Sequence, residues 1–253
     1  MNQIKTEKKF WDKIWEPQNI GHSLDKKIML DRNLICCFEE NIDLTKKQSI
    51  FEIGCSPGRF LSYFHYNGFD VNGIDYSTEG NNQLKNNFRT QGIKDYNLYE
   101  EDFLKFKTSK KYDIVMSFGF IEHFDNPDIV FQKHLDLLKK NGKLIIGIPI
   151  FKGLTGFLQM MNNPGILDYH NLKIMNLDYF KSAQKKFDIN GLKIDYLGGF
   201  DVNMIFQLKS YNIKNIISRI IIKIFKILGI LRILESSKTK YLSSYIIAIY
   251  QNG

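Results

Sequence analysis

The segment Ser49 to Tyr66 constrains the fold of this chain more than any other. Ser49 to Ile53 is a short run of strand-forming residues, Gly54-Cys55-Ser56-Pro57-Gly58 is a tight turn, and Arg59 to Tyr66 has the apolar spacing of a helix. The unit then recurs. Phe69 to Ile74 reads as a strand ending at Asp75, Thr78 to Gln91 as a helix, and Tyr96 to Tyr99 as a strand ending at Glu101-Asp102. A strand from Tyr112 to Ser117, a helix from Pro127 to Lys140 and a strand from Lys143 to Ile148 follow. Alternation of this kind predicts an α/β fold, a doubly wound parallel sheet with helices on both faces.

Two helices precede the first strand, Lys5 to Trp15 with Phe10, Trp11 and Trp15 at helical spacing, and Leu24 to Ile42. Beyond Pro149 the rhythm changes. Phe151 to Asp178 is rich in Gly, Asn and Met without a clean period and reads as a loop-rich cap. A helix from Leu177 to Phe187, a strand from Leu192 to Leu197, a largely helical stretch from Val202 to Leu234 and a last strand from Ser244 to Tyr250 complete the chain. Its 253 residues, 43% hydrophobic and 25% charged, suit one globular domain. That domain divides into N-terminal helices (1–45), a core (46–150) and cap elements (151–190 and 200–240).

Lys plus Arg is 35 against 27 for Asp plus Glu, a net charge of +8 that permits an acidic partner without identifying it. Cys36, Cys37 and Cys55 form no CxxC pair and no ligand spacing with histidines, so a reducing, cytoplasmic setting is expected, and Met1 to Glu16 lacks the apolar core of a signal peptide. Ile213 to Leu234 is apolar but interrupted by Lys214, Arg219, Lys223, Lys226 and Arg232, so it falls short of a membrane-spanning helix. A basic amphipathic helix can lie on an anionic membrane, here at the inner face; isoleucines on nearly all sides equally suit a buried helix or a homodimer contact.

In doubly wound sheets ligands bind outside the carboxyl ends of the strands, which makes Glu52-Ile53-Gly54-Cys55-Ser56-Pro57-Gly58 the first candidate site. Its glycines allow close backbone approach, and the helix that follows offers free N–H groups. A dinucleotide turn needs GxGxxG, but here the three positions are Gly54, Ser56 and Arg59, which weakens a reading as an NAD-dependent oxidoreductase. Asp75 and the Glu101-Asp102 pair, at the ends of the next two strands, can accept hydrogen bonds from ribose hydroxyls and an adenine amine; a pyrophosphate would fit poorly among these carboxylates. The plainer readings are a tight turn for Gly54 and Gly58, a helix cap for Asp75 in competition with Ser77, and a small turn residue for Cys55.

With the run Tyr112-Asp-Ile-Val-Met-Ser-Phe-Gly-Phe-Ile-Glu-His123, these motifs make the chain resemble class I S-adenosylmethionine-dependent methyltransferases over about residues 46–149. The resemblance implies a Rossmann-like sheet of seven strands whose last strand is antiparallel. It implies that Glu52, Gly54 and Cys55 hold the methionine moiety of S-adenosylmethionine, with Gly58 closing the turn, and that Asp75 holds the ribose hydroxyls. Tyr76, in the Asp75-Tyr76-Ser77 corner, packs beside the ribose and adenine, Asp102, in the Glu101-Asp102-Phe103 run, accepts from the adenine amine, Phe103 flanks the ring, and Ser117 and Phe118 line the methionine side. Ser56 stands where glycine is commoner. The similarity extends to methyltransferases of quinone biosynthesis and of bacterial surface-polysaccharide clusters, including those modifying the capsular phosphoramidate group.

His123, after the fourth strand, and His170, in the cap where acceptors enter in this family, are candidate general bases; each also has a simpler role in packing or loop hydrogen bonding. Asp168 and His170 with His123 form a metal donor set only if the fold brings them together, and no metal is expected. Trp11 sits on a leading helix that in this family often closes over the cofactor, with packing onto the core as the alternative; His22 has no evident role. Nucleic-acid amino methyltransferases of this fold carry an Asn-or-Asp-Pro-Pro-aromatic motif where this chain has Phe118-Gly-Phe-Ile-Glu-His123, so a nucleic-acid substrate is not expected. The expected acceptor is a small molecule or a glycan-linked group, methylated on oxygen. A non-catalytic module that retains the fold while binding a membrane or a partner subunit is the alternative.

Overall fold

The computed structural model describes residues 4–16, 23–204 and 213–253, so His22 and part of the Val202 to Leu234 stretch lie outside the described residues. In chain order the regular elements are α1 (Lys8–Ile14), α2 (Met29–Asn41), β1 (Ser49–Ile53), α3 (Arg59–Tyr66), β2 (Asp70–Ile74), α4 (Thr78–Thr90) and β3 (Tyr96–Tyr99). They continue with β4 (Tyr112–Phe118), α5 (Pro127–Leu135), β5 (Leu138–Pro149), α6 (Gly153–Asn162), α7 (Leu177–Phe187), β6 (Asn190–Tyr196), α8 (Ile213–Ile227), α9 (Ile230–Ser236) and β7 (Tyr245–Gln251).

The seven strands form one sheet in the order β3-β2-β1-β4-β5-β7-β6, with β7 antiparallel to both neighbours. β1 is parallel to β2 and β4, and Ile50, Phe51 and Ile53 are fully buried, as a strand covered on both faces requires. The register Ile53↔Ile74 and Ile53↔Ser117 brings the carboxyl ends of β1, β2 and β4 level. Gly54, Asp75 and Gly119 therefore leave the sheet side by side, which is what makes this edge a site.

Three expectations are corrected. α2 begins at Met29 rather than Leu24, because residues 24–28 form a turn held by buried Asp31, which accepts from the Asp25 N–H at 2.9 Å and pairs with Arg59. α5 ends at Leu135 rather than Lys140; Leu138 already pairs with Tyr112, and Asn141 takes a positive φ of 60° before the regular run from Lys143. The cap contains α6, where a loop was expected. Its buried face is polar, Thr155, Gln159 and Asn162, while Phe157 and Met160 are exposed, so the helical period is invisible to an apolar pattern. The cap is tied to the sheet edge through Thr155 Oγ1 and Ser244 Oγ, 3.0 Å apart, and has a small apolar cluster of its own around Phe200 and Leu231.

Candidate active site

The turn after β1 is shaped by two left-handed glycines, Gly54 (φ 70°) and Gly58 (φ 86°), with a cis Ser56–Pro57 bond between them. Gly54 is required twice over: its φ disfavours other residues, and a methyl group there would lie 2.8 Å from Phe120 Cδ2. Asp75 binds this turn to the next. Its carboxylate accepts from the N–H of Ser56 at 3.2 Å and from the N–H of Ser77 at 2.9 Å. Ser77 caps α4, accepting from the Gly80 N–H at 3.0 Å, so the competing capping roles are divided between the two residues.

Glu52 is 2% exposed, and its Oε2 has no hydrogen-bond partner. Burial, and then the nearby Asp75, push the Glu52 carboxyl well above the usual range; burial also raises Asp75, against the two N–H groups that lower it. An acidic pair with an orphaned oxygen fits a ligand that brings cationic and hydroxyl donors, and S-adenosylmethionine has both. Cys55 is buried, its thiol also raised by burial, so it serves as a packed turn residue. Asp102 is half-buried and accepts from the Leu104 N–H at 2.9 Å, whereas Glu101 is exposed. Phe103 meets Phe120 edge-on, with centroids 5.8 Å apart.

Two expected residues direct their side chains elsewhere. Ser117 Oγ donates to His134 Nε2 at 3.0 Å, since His134 Nδ1 donates to the Val130 carbonyl; Phe118 stacks on Phe60 at 4.1 Å. A shallow cleft lined by Phe103, Phe106, Lys107, Thr108, Lys133 and Asp136 shares only Phe103 with the expected cofactor residues and is separate from the glycine turn.

The N-terminal segment spans the mouth of the site. The Lys5 N–H donates to the His123 carbonyl at 2.7 Å, and the Tyr76 hydroxyl to the Thr6 carbonyl at 3.1 Å. Ser77 Oγ donates to Asp12 Oδ1 at 2.7 Å. Trp11 donates to Thr6 Oγ1 and sets its ring edge-on to His123, centroids 4.9 Å apart. α1 thus joins the corner after β2 to the loop after β4.

On that loop a cluster forms from Glu122, His123 and His170. The His rings are 4.5 Å apart, and both Nδ1–H groups donate to carbonyls, His123 to Tyr169 at 2.8 Å and His170 to Ile166 at 2.6 Å. The neutral rings therefore carry their lone pairs at Nε2. Burial, and then the neighbouring His170, push His123 down to about 3; burial lowers His170 to about 4. Glu122 is fully buried with neither oxygen hydrogen-bonded, and burial raises it to about 8. Near neutral pH the cluster is largely uncharged and offers proton-accepting nitrogens.

One nitrogen or oxygen from each of these three residues lies within 4.8 Å of the others, a donor set of the kind divalent cations take. The tertiary contact between His123 and His170 is present, but the third member is Glu122; Asp168 is exposed. Sequence reasoning missed Glu122, although it stands next to His123. It also missed Phe120 and Asp12, for which the motifs give no signal.

A family model described as a methyltransferase domain matches residues 29–189. Ubiquinone biosynthesis O-methyltransferase of Pelagibacter ubique (strain HTCC1062) is 26% identical over 165 residues, 63% of this chain and 68% of that protein. Pavine N-methyltransferase of Thalictrum flavum subsp. glaucum is 24% identical over 131 residues, 50% of this chain but only 37% of its own length. Among solved structures, an S-adenosylmethionine-dependent methyltransferase from Thiobacillus denitrificans in complex with S-adenosyl-L-homocysteine superposes with a TM-score of 0.62 at 14% identity, covering 95% of this chain and 97% of that one. Coclaurine N-methyltransferase bound to N-methylheliamine and S-adenosylhomocysteine gives 0.58 at 13% identity, covering 94% and 76%. At these identities the superpositions speak for the fold.

Proposed function

The chain belongs to the methyltransferase domain family and uses S-adenosylmethionine, and from that premise we propose that it methylates a hydroxyl oxygen of a small-molecule or glycan-linked acceptor. A precursor of capsular polysaccharide bearing a phosphoramidate group is the specific candidate. The observation that supports O-methylation is the Glu122, His123, His170 cluster, whose buried neutral imidazoles suit a base for an acceptor hydroxyl. When bound, S-adenosylmethionine supplies a methyl group on a sulfonium, and S-adenosylhomocysteine is left.

His123 Nε2 takes the acceptor's hydroxyl proton as the oxygen forms its new bond to carbon. The Nδ1–H bond to Tyr169 holds the ring for that step and keeps the receiving nitrogen unprotonated beforehand. Asp75 and the glycine turn fix the cofactor end, so the chain aligns donor and acceptor in line, the larger part of catalysis for a displacement. Trp11 and α1 cover the site against water. The buried polar face of α6, Thr155, Gln159 and Asn162, suits a hydroxylated acceptor. The identity of an O-methyltransferase among the relatives supports the choice of oxygen. A cytoplasmic setting goes with this reading, since the exposed thiol of Cys36 stays reduced there.

The test is transfer of labelled methyl from S-adenosylmethionine to a panel of hydroxylated sugars, phosphoramidate-bearing saccharides, phenols and amines, followed by identification of the labelled bond. A methyl ether on a sugar hydroxyl, or a methyl ester on a phosphoramidate oxygen, is expected. Label confined to nitrogen would overturn O-methylation, and label confined to phenols would overturn the glycan acceptor.

A further inference from the structure

Among the described residues no helix is long and apolar enough to cross a membrane. α8 nevertheless exposes more large apolar side chains than a solvated helix does. Its inner face, Ser218, Ile222 and Phe225, meets the cap cluster of Leu154, Leu158, Phe200 and Leu231. The opposite arc carries Ile216, Ile220, Ile224 and Ile227 at helical spacing, with Ile217, Ile221 and Leu228 beside them, all exposed; Ile227 is 76% exposed. α6, which packs against α8, exposes Phe157 and Met160 as well. This is too much contiguous apolar surface for an ordinary monomer face.

The charge on this helix selects the partner. Arg219, Lys223 and Lys226, at i, i+4 and i+7, follow one flank between the inner and outer arcs, and Arg232 follows on α9. From Val202 to Leu234 the sequence has no Asp or Glu. In a two-fold contact the face would meet itself and oppose two cationic flanks without a carboxylate between them. We propose that the outer face of α8 docks on an anionic lipid bilayer, with its isoleucines in the acyl boundary and its cationic flank among the headgroups. The contact is peripheral and independent of the acceptor.

The test uses the full chain with vesicles of phosphatidylcholine alone or containing 30 mol% phosphatidylglycerol (about a third anionic, enough to set a negative surface potential). Flotation with the anionic vesicles only, weakened by salt, is expected. Ile220→Glu with Ile224→Glu, and separately Lys223→Glu with Lys226→Glu, should each weaken binding about tenfold or more, while S-adenosylhomocysteine binding by calorimetry is retained. Should the isoleucine variant misfold, Ile224→Trp in the full chain supplies a second reading: its added emission should shift to the blue and be quenched by brominated lipid. Equal binding to neutral vesicles, undiminished binding by both double variants, or no quenching would overturn the proposal. So would a dimer that the isoleucine variant dissociates, without lipid binding by the wild type.

Discussion

The imidazoles of His123 and His170, from opposite sides of the β5 strand in the sequence, face one another at 4.5 Å, each holding a backbone carbonyl through Nδ1. Replacing either ring with alanine removes a proton acceptor without touching the glycine turn. Turnover should fall by about 10²-fold or more while S-adenosylhomocysteine affinity stays within about twofold. Methyl-transfer rates and calorimetry on the same preparations check both halves; unchanged turnover in both variants contradicts the assignment.

The cluster also sets a pH signature. The folded Glu122 carboxyl is raised from an ordinary 4.5 to about 8, so its contribution is fully present below pH 4.5 and lost as pH rises to about 8. His123 and His170 are lowered from 6.5 to about 3 and about 4, so their contribution is present above pH 6.5 and lost as pH falls through those values. Glu122→Gln should therefore raise the melting temperature at pH 9, where about a few kcal/mol is recovered, and change it little at pH 4.5. An equal effect at both values would show that Glu122 is not held protonated by burial.

Asp75 does two jobs at once, and two variants separate them. Asp75→Ala removes the acceptor for the Ser56 and Ser77 N–H groups and the expected ribose partner, so binding of S-adenosylhomocysteine should fall at least about 100-fold, with a loss of stability of about 1–2 kcal/mol. Asp75→Asn keeps one acceptor oxygen but turns its NH2 toward the other N–H, so it should recover part of the stability and little of the binding. Denaturant titration beside calorimetry distinguishes the two.

Gly54→Ala meets both a left-handed backbone and the ring of Phe120. A loss of about 1–3 kcal/mol is expected, together with weakened cofactor binding. Adding Phe120→Leu should return part of it, because the contact is relieved and the backbone strain is not. Full recovery in the double variant would show that the backbone conformation contributes nothing.

The hydrogen bond from Ser77 to Asp12 anchors α1 across the mouth of the site. Asp12→Ala should lower the melting temperature by only a few degrees, as the loss of one part-buried hydrogen bond does, yet speed S-adenosylhomocysteine release several-fold. Stopped-flow emission of Trp11, which stands against His123, reports that rate.

The core was legible because each of its strands is either a dense apolar run or ends on a residue type the topology puts to use: Gly54 after β1, Asp75 after β2, Asp102 after β3. The motif order then supplied the family and the cofactor. Other features were hidden for definite reasons. α6 buries polar residues, so an apolar pattern cannot find it. Ser117 and Phe118 lie on opposite faces of β4, and a motif does not say that one hydroxyl is committed to His134. Glu122 was visible as a letter, but its burial without a hydrogen-bond partner depends on the cap folding over it. The joining of Asp12 to Ser77 spans 65 residues and leaves no local trace.

β7 pairs with both β5 and β6, and β6 has no other neighbour in the sheet. The strand that joins them comes after both in the sequence. Until Tyr245 to Gln251 has left the ribosome, β5 presents an open apolar edge and β6 has nowhere to attach, so this half of the sheet completes only once that segment is available. A premature stop or a nick before Tyr245 would therefore leave a sticky, half-built sheet rather than a smaller working enzyme.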